Sequence, residues 1–211
     1  MRGTLLSAVV VACVAGGTAS ATPLSPDSYD MLNGNTGSYY YWDETYTGSG
    51  CVTCDNAALT GGTGDLTDGI IATDNWFVVE APPGNGPYVG WTLNPTITFH
   101  WNSAVSISSV TFYFDDADGA GGVSAPAGVV VDGSPFAIAD PPGPVPFAFT
   151  ASGLSFSGND LVVTIDRNNS WVFLSEVQFE SPSPAVPEPA TCMLMLSGLG
   201  TLATIRRRKA K

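Results

Sequence analysis

The feature that most restricts the fold of this chain is a recurrence of short apolar stretches, bounded by glycine, proline, asparagine and aspartate, from residue 38 onward. These stretches show no helical period, and their length suits strands of about four to eight residues. Within 96–101, Ile97, Phe99 and Trp101 alternate with other residues and would share one face of a strand. The pattern therefore predicts strands joined by turns.

A series of such stretches fills the middle of the chain. The candidate strands are residues 39–42, 76–80, 88–93, 96–101, 109–114, 128–131, 147–150, 161–165 and 171–179. In 161–165 the inward set is Leu161, Val163 and Ile165. Strand following strand without a helical period favours an all-β fold, a single β-sandwich or jelly roll. The Gly- or Pro-rich segments 117–127 and 139–146 are expected to be long loops.

The start of the chain has the layout of a secretory signal peptide. Arg2 precedes an apolar run, and Ala19-Ser20-Ala21 supplies the small residues of a cleavage site. We expect residues 1–21 to be removed by a cut after Ala21. The alternative is a lipid anchor on Cys13, which would leave a very short apolar stretch before the cysteine.

The end of the chain has three parts in order. Pro187, Glu188 and Pro189 precede the mostly apolar segment 190–205, and a basic cluster at 206–209 follows it. A helix over the apolar segment would be about 24 Å long, slightly shorter than a hydrocarbon core. The basic cluster should stay in the cytoplasm, which places everything before Pro187 outside. This end therefore predicts a transmembrane helix used for sorting.

These three parts resemble the PEP-CTERM sorting signal. The resemblance implies that an exosortase cuts near Pro187-Glu188-Pro189 after transient anchoring in the inner membrane. It also implies delivery to the cell surface or extracellular matrix of a Gram-negative bacterium that makes exopolysaccharide. The predicted organisation is a signal peptide at 1–21, a β-sandwich domain at 22–180, a Ser/Pro linker at 181–186 and the sorting signal at 187–211.

The charge between the two ends is strongly acidic. From residue 22 to residue 185, Arg167 is the one basic residue against 18 acids. Nucleic acid and anionic lipid need a basic surface, so both are poor partners for the domain. Divalent cations and neutral partners such as sugars suit it better. The alternative is that the acidity only keeps an exported protein soluble.

Several motifs in the middle region resemble the galactose-binding-like jelly roll of discoidin-type and carbohydrate-binding modules. They are Leu66-Thr67-Asp68-Gly69 followed by Thr73 and Trp76, Val89-Gly90-Trp91 before Ile97-Thr98-Phe99, and the closing run from Trp171 to Val177. The resemblance implies a structural calcium held by Asp68, Thr73 and Glu176, and calcium prefers such oxygen ligands. The alternative is that Asp68 shapes a turn and Glu176 is a strand-edge acid.

A second acidic segment runs Asp115-Asp116-Ala117-Asp118-Gly119. It looks like the start of an EF-hand loop, but Ala120 stands where a further oxygen ligand is needed and no suitably spaced glutamate follows. We expect a solvated acidic loop.

Cys51 and Cys54 are the cysteines that remain when both ends are removed, and an oxidising exterior favours a disulfide between them. A redox site or half of a zinc site are the alternatives for a Cys-x-x-Cys pair. His100 is the only histidine and lies in a strand pattern, so no Ser-His-Asp arrangement is available. We expect no enzyme activity.

The aromatic run at 39–42 is the most suggestive binding feature. Tyr39, Tyr41 and Trp42 would stack on sugar rings if they are exposed, and Asp43 and Glu44 follow them. The sequence therefore predicts a non-catalytic protein that binds exopolysaccharide. The alternative is a structural or adhesive protein that binds another protein or itself, with calcium as a stabiliser.

Overall fold

Regular structure is almost entirely β-strand in the part of the chain that the computed structural model describes, residues 20–80 and 86–184. One four-residue helix, α1 (Trp76–Val79), and a 3-10 turn at Ala120–Gly122 are the helical segments there. The strands are β1 (Pro23–Leu24), β2 (Ser28–Leu32), β3 (Ala58–Gly62), β4 (Val89–Trp91), β5 (Thr96–Phe114), β6 (Gly128–Val131), β7 (Ser134–Ala137), β8 (Phe147–Asp166) and β9 (Val172–Glu180). The predicted all-β class is confirmed.

The two longest strands organise the sheet. β5 has 19 residues and β8 has 20, and they pair antiparallel along most of their length. The first half of β5 also pairs with β2, and its second half pairs with β9. β3 extends the sheet from β2, β6 and β7 extend it from the last part of β8, and β1 and β4 extend it from β9. The register of β5 shifts between His100 and Val105, where the sheet passes from one set of partners to the other.

The continuous sheet folds into two layers that pack face to face. Phe99, in the first half of β5, meets Phe179 of β9 with ring centroids 4.8 Å apart. Trp101 lies edge-on to the same ring at 5.1 Å. The predicted inward sets are confirmed, since Ile97, Phe99, Trp101, Leu161, Val163 and Ile165 are all buried. The core therefore lies between the two halves of a bent sheet, which is a sandwich.

Two predicted strands are wrong. Residues 39–42 form a loop with a single bridge, Thr36 to Tyr40. Residues 76–79 form α1, because the backbone N–H of Trp76 donates to Asp115 Oδ2 and the side chain of Asn75 donates to Asp115 Oδ1. Hydrogen bonds to a distant buried carboxylate start a helical turn that no local pattern announces.

Other strands were missed or divided by the sequence patterns. β2, β3 and β7 are strands that were not predicted, and they carry polar residues and glycines between few apolar ones. The stretches 96–101 and 109–114 both belong to β5, and the stretches 147–150 and 161–165 both belong to β8. The residues that separate these stretches in the sequence are themselves part of the two strands.

The chain ends lie mostly outside the described residues. Thr22–Pro182 form one compact unit. Ala21, the expected last residue of the signal, directly precedes it, whereas Pro187, Glu188, Pro189 and the predicted transmembrane helix lie outside the described residues. Ser181, expected in the linker, donates its backbone N–H to Thr22 O at 2.9 Å. None of the helical segments among the described residues has the length and apolar character that spanning a membrane requires.

The interlayer contact gives the first prediction. Phe99 is fully buried, so Phe99→Ala should remove about 3–5 kcal/mol from the free energy of unfolding. Phe77→Ala is the matched control, because Phe77 is 44% exposed and its loss should change the value by less than about 0.5 kcal/mol. Urea titrations followed by tryptophan fluorescence would measure both. Equal losses from the two substitutions would contradict the described core.

Candidate functional site

A hollow of about 310 Å³ lies between the loop that follows the aromatic run and the loop that follows β3. It combines an indole ring, three carboxylates and a small apolar surface. Its lining residues are Trp42, Glu44, Thr45, Asp65, Asp68, Ile70, Gly86 and Pro87. We call this hollow the Trp42 groove. Two residues predicted for two different sites, Trp42 and Asp68, come together here.

Trp42 is held in one orientation on the surface. Its ring stacks on Tyr40 with centroids 4.6 Å apart and an interplanar angle of 11°. Its indole N–H donates to Asp55 Oδ1 at 2.7 Å, and Thr36 donates both its backbone N–H and its hydroxyl to the same oxygen. Tyr40 is 44% exposed and Trp42 is partly exposed. The two rings therefore form a fixed aromatic platform at the edge of the groove.

Cys51 and Cys54 shape the segment that presents Asp55. The structure joins them in a disulfide with their Cα atoms 5.4 Å apart. The backbone carbonyl of Cys51 accepts a hydrogen bond from the side chain of Asn33, which ties this segment to the end of β2. The disulfide segment thus fixes the acid that orients Trp42.

Two buried acids lie beneath the groove. Asp43 is fully buried, and its Oδ1 accepts the backbone N–H of Asp65 at 3.0 Å while its Oδ2 accepts the hydroxyl of Tyr29. Asp65 accepts the hydroxyl of Thr45. Burial, followed by the charge of Asp43, raises the pKa of Asp65 to about 7, and burial also raises the pKa of Asp43. The Asp65 carboxyl group therefore holds a proton up to a higher pH than an exposed aspartate does.

The other predicted aromatic ligands turn inward. Tyr41 is only 2% exposed and packs edge-on against Phe173 and Trp171, with centroids 4.6 and 5.3 Å away. This corrects the expectation that Tyr41 presents its ring to a ligand: a buried ring has no face available for stacking. Tyr39 is half-buried and its ring faces Tyr41 and Trp76. In the run, Tyr40 and Trp42 supply the surface, and Tyr40 was not among the predicted ligand residues.

The residues expected to hold calcium are brought together in part. Glu176, on β9, is buried and its Oε2 accepts the backbone N–H of Gly69 at 3.1 Å. Asp68 lines the same hollow as Glu176, and its Oδ1 accepts the backbone N–H of Ile70. Thr73 is exposed, and its hydroxyl donates to Asp74. Two of the three residues line one hollow, the third pairs elsewhere, and calcium at this place stays a prediction.

The segment 115–119 is not a solvated acidic loop. Asp115 and Asp116 are fully buried, and only Asp118 of its acids is exposed. Asp115 uses both carboxylate oxygens to hold Asn75 and Trp76. The reason for the difference is that the backbone of residues 75–76 folds over the end of β5, which local composition does not reveal.

His100 bridges three strands. Its Nδ1 lies 2.7 Å from Asp160 Oδ1 on β8, and its Nε2 lies 3.3 Å from Asp30 Oδ2 on β2. Both carboxylates are partly exposed. The pairing ties β2, β5 and β8 together on the outer face of the sheet, away from the groove lining.

Comparison with known proteins identifies the end of the chain. Residues 185–209 match the PEP-CTERM protein-sorting motif. The predicted sorting signal is confirmed, and the motif marks an exported protein that an exosortase processes. The matched residues lie outside those that the structure describes. No curated protein matches the chain.

Solved structures show limited likeness to the domain. The structure of SpGH29 gives a TM-score of 0.35 at 13% identity over 57% of this chain and 24% of that one. A truncated AlyQ with CBM32 and alginate lyase domains gives a TM-score of 0.34 at 17% identity, over 50% of this chain and 31% of that one. The CBM32 of AlyQ in complex with 4,5-unsaturated mannuronic acid gives a TM-score of 0.32 at 17% identity, over 44% of this chain and 75% of that one. This chain thus spans under a third of the length of the first two structures.

The buried acids predict that the domain becomes less stable as the pH rises. The pKa of Asp65 rises from 3.8 to about 7 on folding, and burial raises the pKa values of Glu80 and Glu176 to about 7 as well. Between pH 3.8 and about pH 7 the folded state keeps protons that the unfolded state has released. The free energy of unfolding is therefore greatest at the acidic end of this range and falls as pH rises. The melting temperature in EDTA should therefore be higher at pH 5 than at pH 7.5.

Asp65→Asn should reduce the difference in melting temperature between pH 5 and pH 7.5. The amide does not titrate in this range, and it still accepts a hydrogen bond through Oδ1. Asp132→Asn, which changes an exposed turn residue, should leave the difference as in the unmodified protein. A melting temperature that increases with pH over this window would refute the assignment.

Proposed function

We propose that this protein is a non-catalytic component of the cell surface or extracellular matrix that binds polysaccharide through the Trp42 groove. The observation that carries the proposal is the platform of Tyr40 and Trp42 at the edge of a hollow lined by carboxylates. The sorting motif supports the destination, since an exported, exosortase-processed protein meets extracellular polymers. A Gram-negative surface and transient anchoring in the inner membrane belong to the same proposal.

The platform has the properties of a sugar-stacking surface. A sugar ring presents a face of C–H groups that buries well against an aromatic ring, and an ordered ring loses little entropy on binding. Tyr40 supports one side of the stack, and the bond to Asp55 prevents rotation of the Trp42 ring. Contact with the platform thus requires no reorganisation of Trp42.

The acids in the groove fit hydroxyl groups. Carboxylate oxygens accept hydrogen bonds from sugar hydroxyls, and Asp65 and Asp68 both line the hollow. A polysaccharide that carries its own carboxylates would be repelled, because Arg167 is the one basic side chain from residue 22 to residue 185. The groove therefore favours neutral polysaccharide.

A second function is supported by apolar side chains on α1. Phe77 is 44% exposed and Val78 is 52% exposed. Adjacent exposed apolar residues on a helix suit contact with a protein partner or a second copy of the chain. An adhesive or structural role would use this surface instead of the groove.

Affinity electrophoresis tests the groove directly. The full chain would be run through gels containing the exopolysaccharide of the producing bacterium, neutral galactomannan or alginate. We expect retardation by a neutral polysaccharide and none by alginate without divalent cations. Trp42→Ala should weaken the affinity about 5- to 150-fold, since stacking contributes about 1–3 kcal/mol by analogy with other ring-stacking sites.

Phe77→Ala is the control, because it removes an exposed aromatic ring outside the groove lining. If Trp42→Ala and the unmodified chain migrate alike in every gel, the groove does not bind polysaccharide. Loss of self-association or partner binding in Phe77→Ala alone would then favour the adhesive function.

A further inference from the structure

Three carboxylates from two separate loops meet at one point of the surface. Asp116 and Asp118 follow β5, and Asp140 follows β7. One carboxylate oxygen from each lies within 4.8 Å of the others. Asp116 is buried, whereas Asp118 and Asp140 are exposed. The group therefore has a buried base and an open outer side.

Only one of the two oxygens of the buried Asp116 carboxylate accepts a hydrogen bond from the described residues. Asp116 Oδ1 accepts the backbone N–H of Asp118 at 3.0 Å and that of Ala125 at 3.3 Å. Asp116 Oδ2 is also buried but has no hydrogen-bond partner among the described residues. An ionised oxygen without a partner in such a place is strongly unfavourable unless a cation compensates it.

Among the residues that the structure describes, the neighbouring side chains supply no such cation. Arg167 is the one basic residue of the region, and its guanidinium donates to Asn94 Oδ1 and to the carbonyls of Asn169 and Ser170. Asp115 does not share the role of Asp116, since Asn75 and Trp76 occupy both of its oxygens. The repulsion among the three acids is thus not balanced within the described chain.

We propose that Asp116, Asp118 and Asp140 bind a calcium ion. Calcium takes six to eight oxygen ligands in a flexible geometry, and the open side of the group leaves room for water molecules to complete the set. Magnesium demands a near-ideal octahedron and gives up water reluctantly, so it suits three acids on two loops less well. The bound ion would join the loop after β5 to the loop after β7.

This site is distinct from the one that the sequence resemblance implied. Asp68 and Glu176 line a different hollow, between the loop after β3 and strand β9. An EF-hand pattern fails at Ala120 because the third carboxylate comes from Asp140, which lies 22 residues after Asp118 in the sequence. Spacing within one loop therefore does not reveal this group.

Calcium binding to the full chain, measured by isothermal titration calorimetry after EDTA treatment, tests the proposal. Asp118→Asn/Asp140→Asn should abolish one equivalent of calcium binding or weaken it at least tenfold. Both side chains are exposed, so the variant should keep the far-UV and near-UV circular dichroism of the unmodified chain. Asp132→Asn/Asp160→Asn, which removes two exposed acids elsewhere, should bind as the unmodified chain does.

A second variant separates the two candidate sites. Asp68→Asn/Glu176→Gln should keep the equivalent that Asp118→Asn/Asp140→Asn loses, and calcium should still raise its melting temperature. The proposal is overturned if the unmodified chain binds no calcium, or if Asp118→Asn/Asp140→Asn binds it with unchanged stoichiometry and affinity. Displacement of calcium by an equal concentration of magnesium would overturn the choice of ion.

Discussion

The antiparallel pairing of β5 with β8 is the interaction on which the rest of the domain depends. Each strand contributes to both layers of the sandwich, so one ladder of backbone hydrogen bonds fixes the sheet and the bend between its halves. The bend brings Phe99 against Phe179, which closes the core. Because β5 ends at Phe114, the pairing also determines where the 115–119 loop leaves the sheet and where the helix α1 is held.

Burying acids in a domain with almost no basic side chains imposes a second constraint. Asp43, Glu80, Asp115 and Glu176 are buried, and each accepts hydrogen bonds from backbone N–H groups of other loops. Backbone donors thus do what arginine and lysine do in less acidic proteins. This explains how loops rich in glycine keep a defined shape. The Oδ2 of Asp116 is an exception, because it has no such donor among the described residues.

The alternation of side chains predicted the core of the fold and little of its surface. Ile97, Phe99 and Leu161 could be placed inward because a strand has a strict period of two. Tyr41 could not be placed, because its position follows from a loop that packs on Phe173 of β9, far away in the sequence. The meeting of Asp116 with Asp140 likewise depends on the return of the chain through β6 and β7. Side chains brought together by tertiary structure leave no local pattern to read.

Export gives these loop contacts their physical setting. Outside the cytoplasm a disulfide persists and calcium is abundant, so a small domain has short-range links available that do not require a larger core. The Cys51–Cys54 disulfide lies in the segment that orients Trp42, and the proposed ion joins two loops beyond the ends of β5 and β7. Both links act on loops instead of on the sheet. Rigid loops on a stable sheet are what a stacking platform needs, because binding is strongest when no ordering remains to be done.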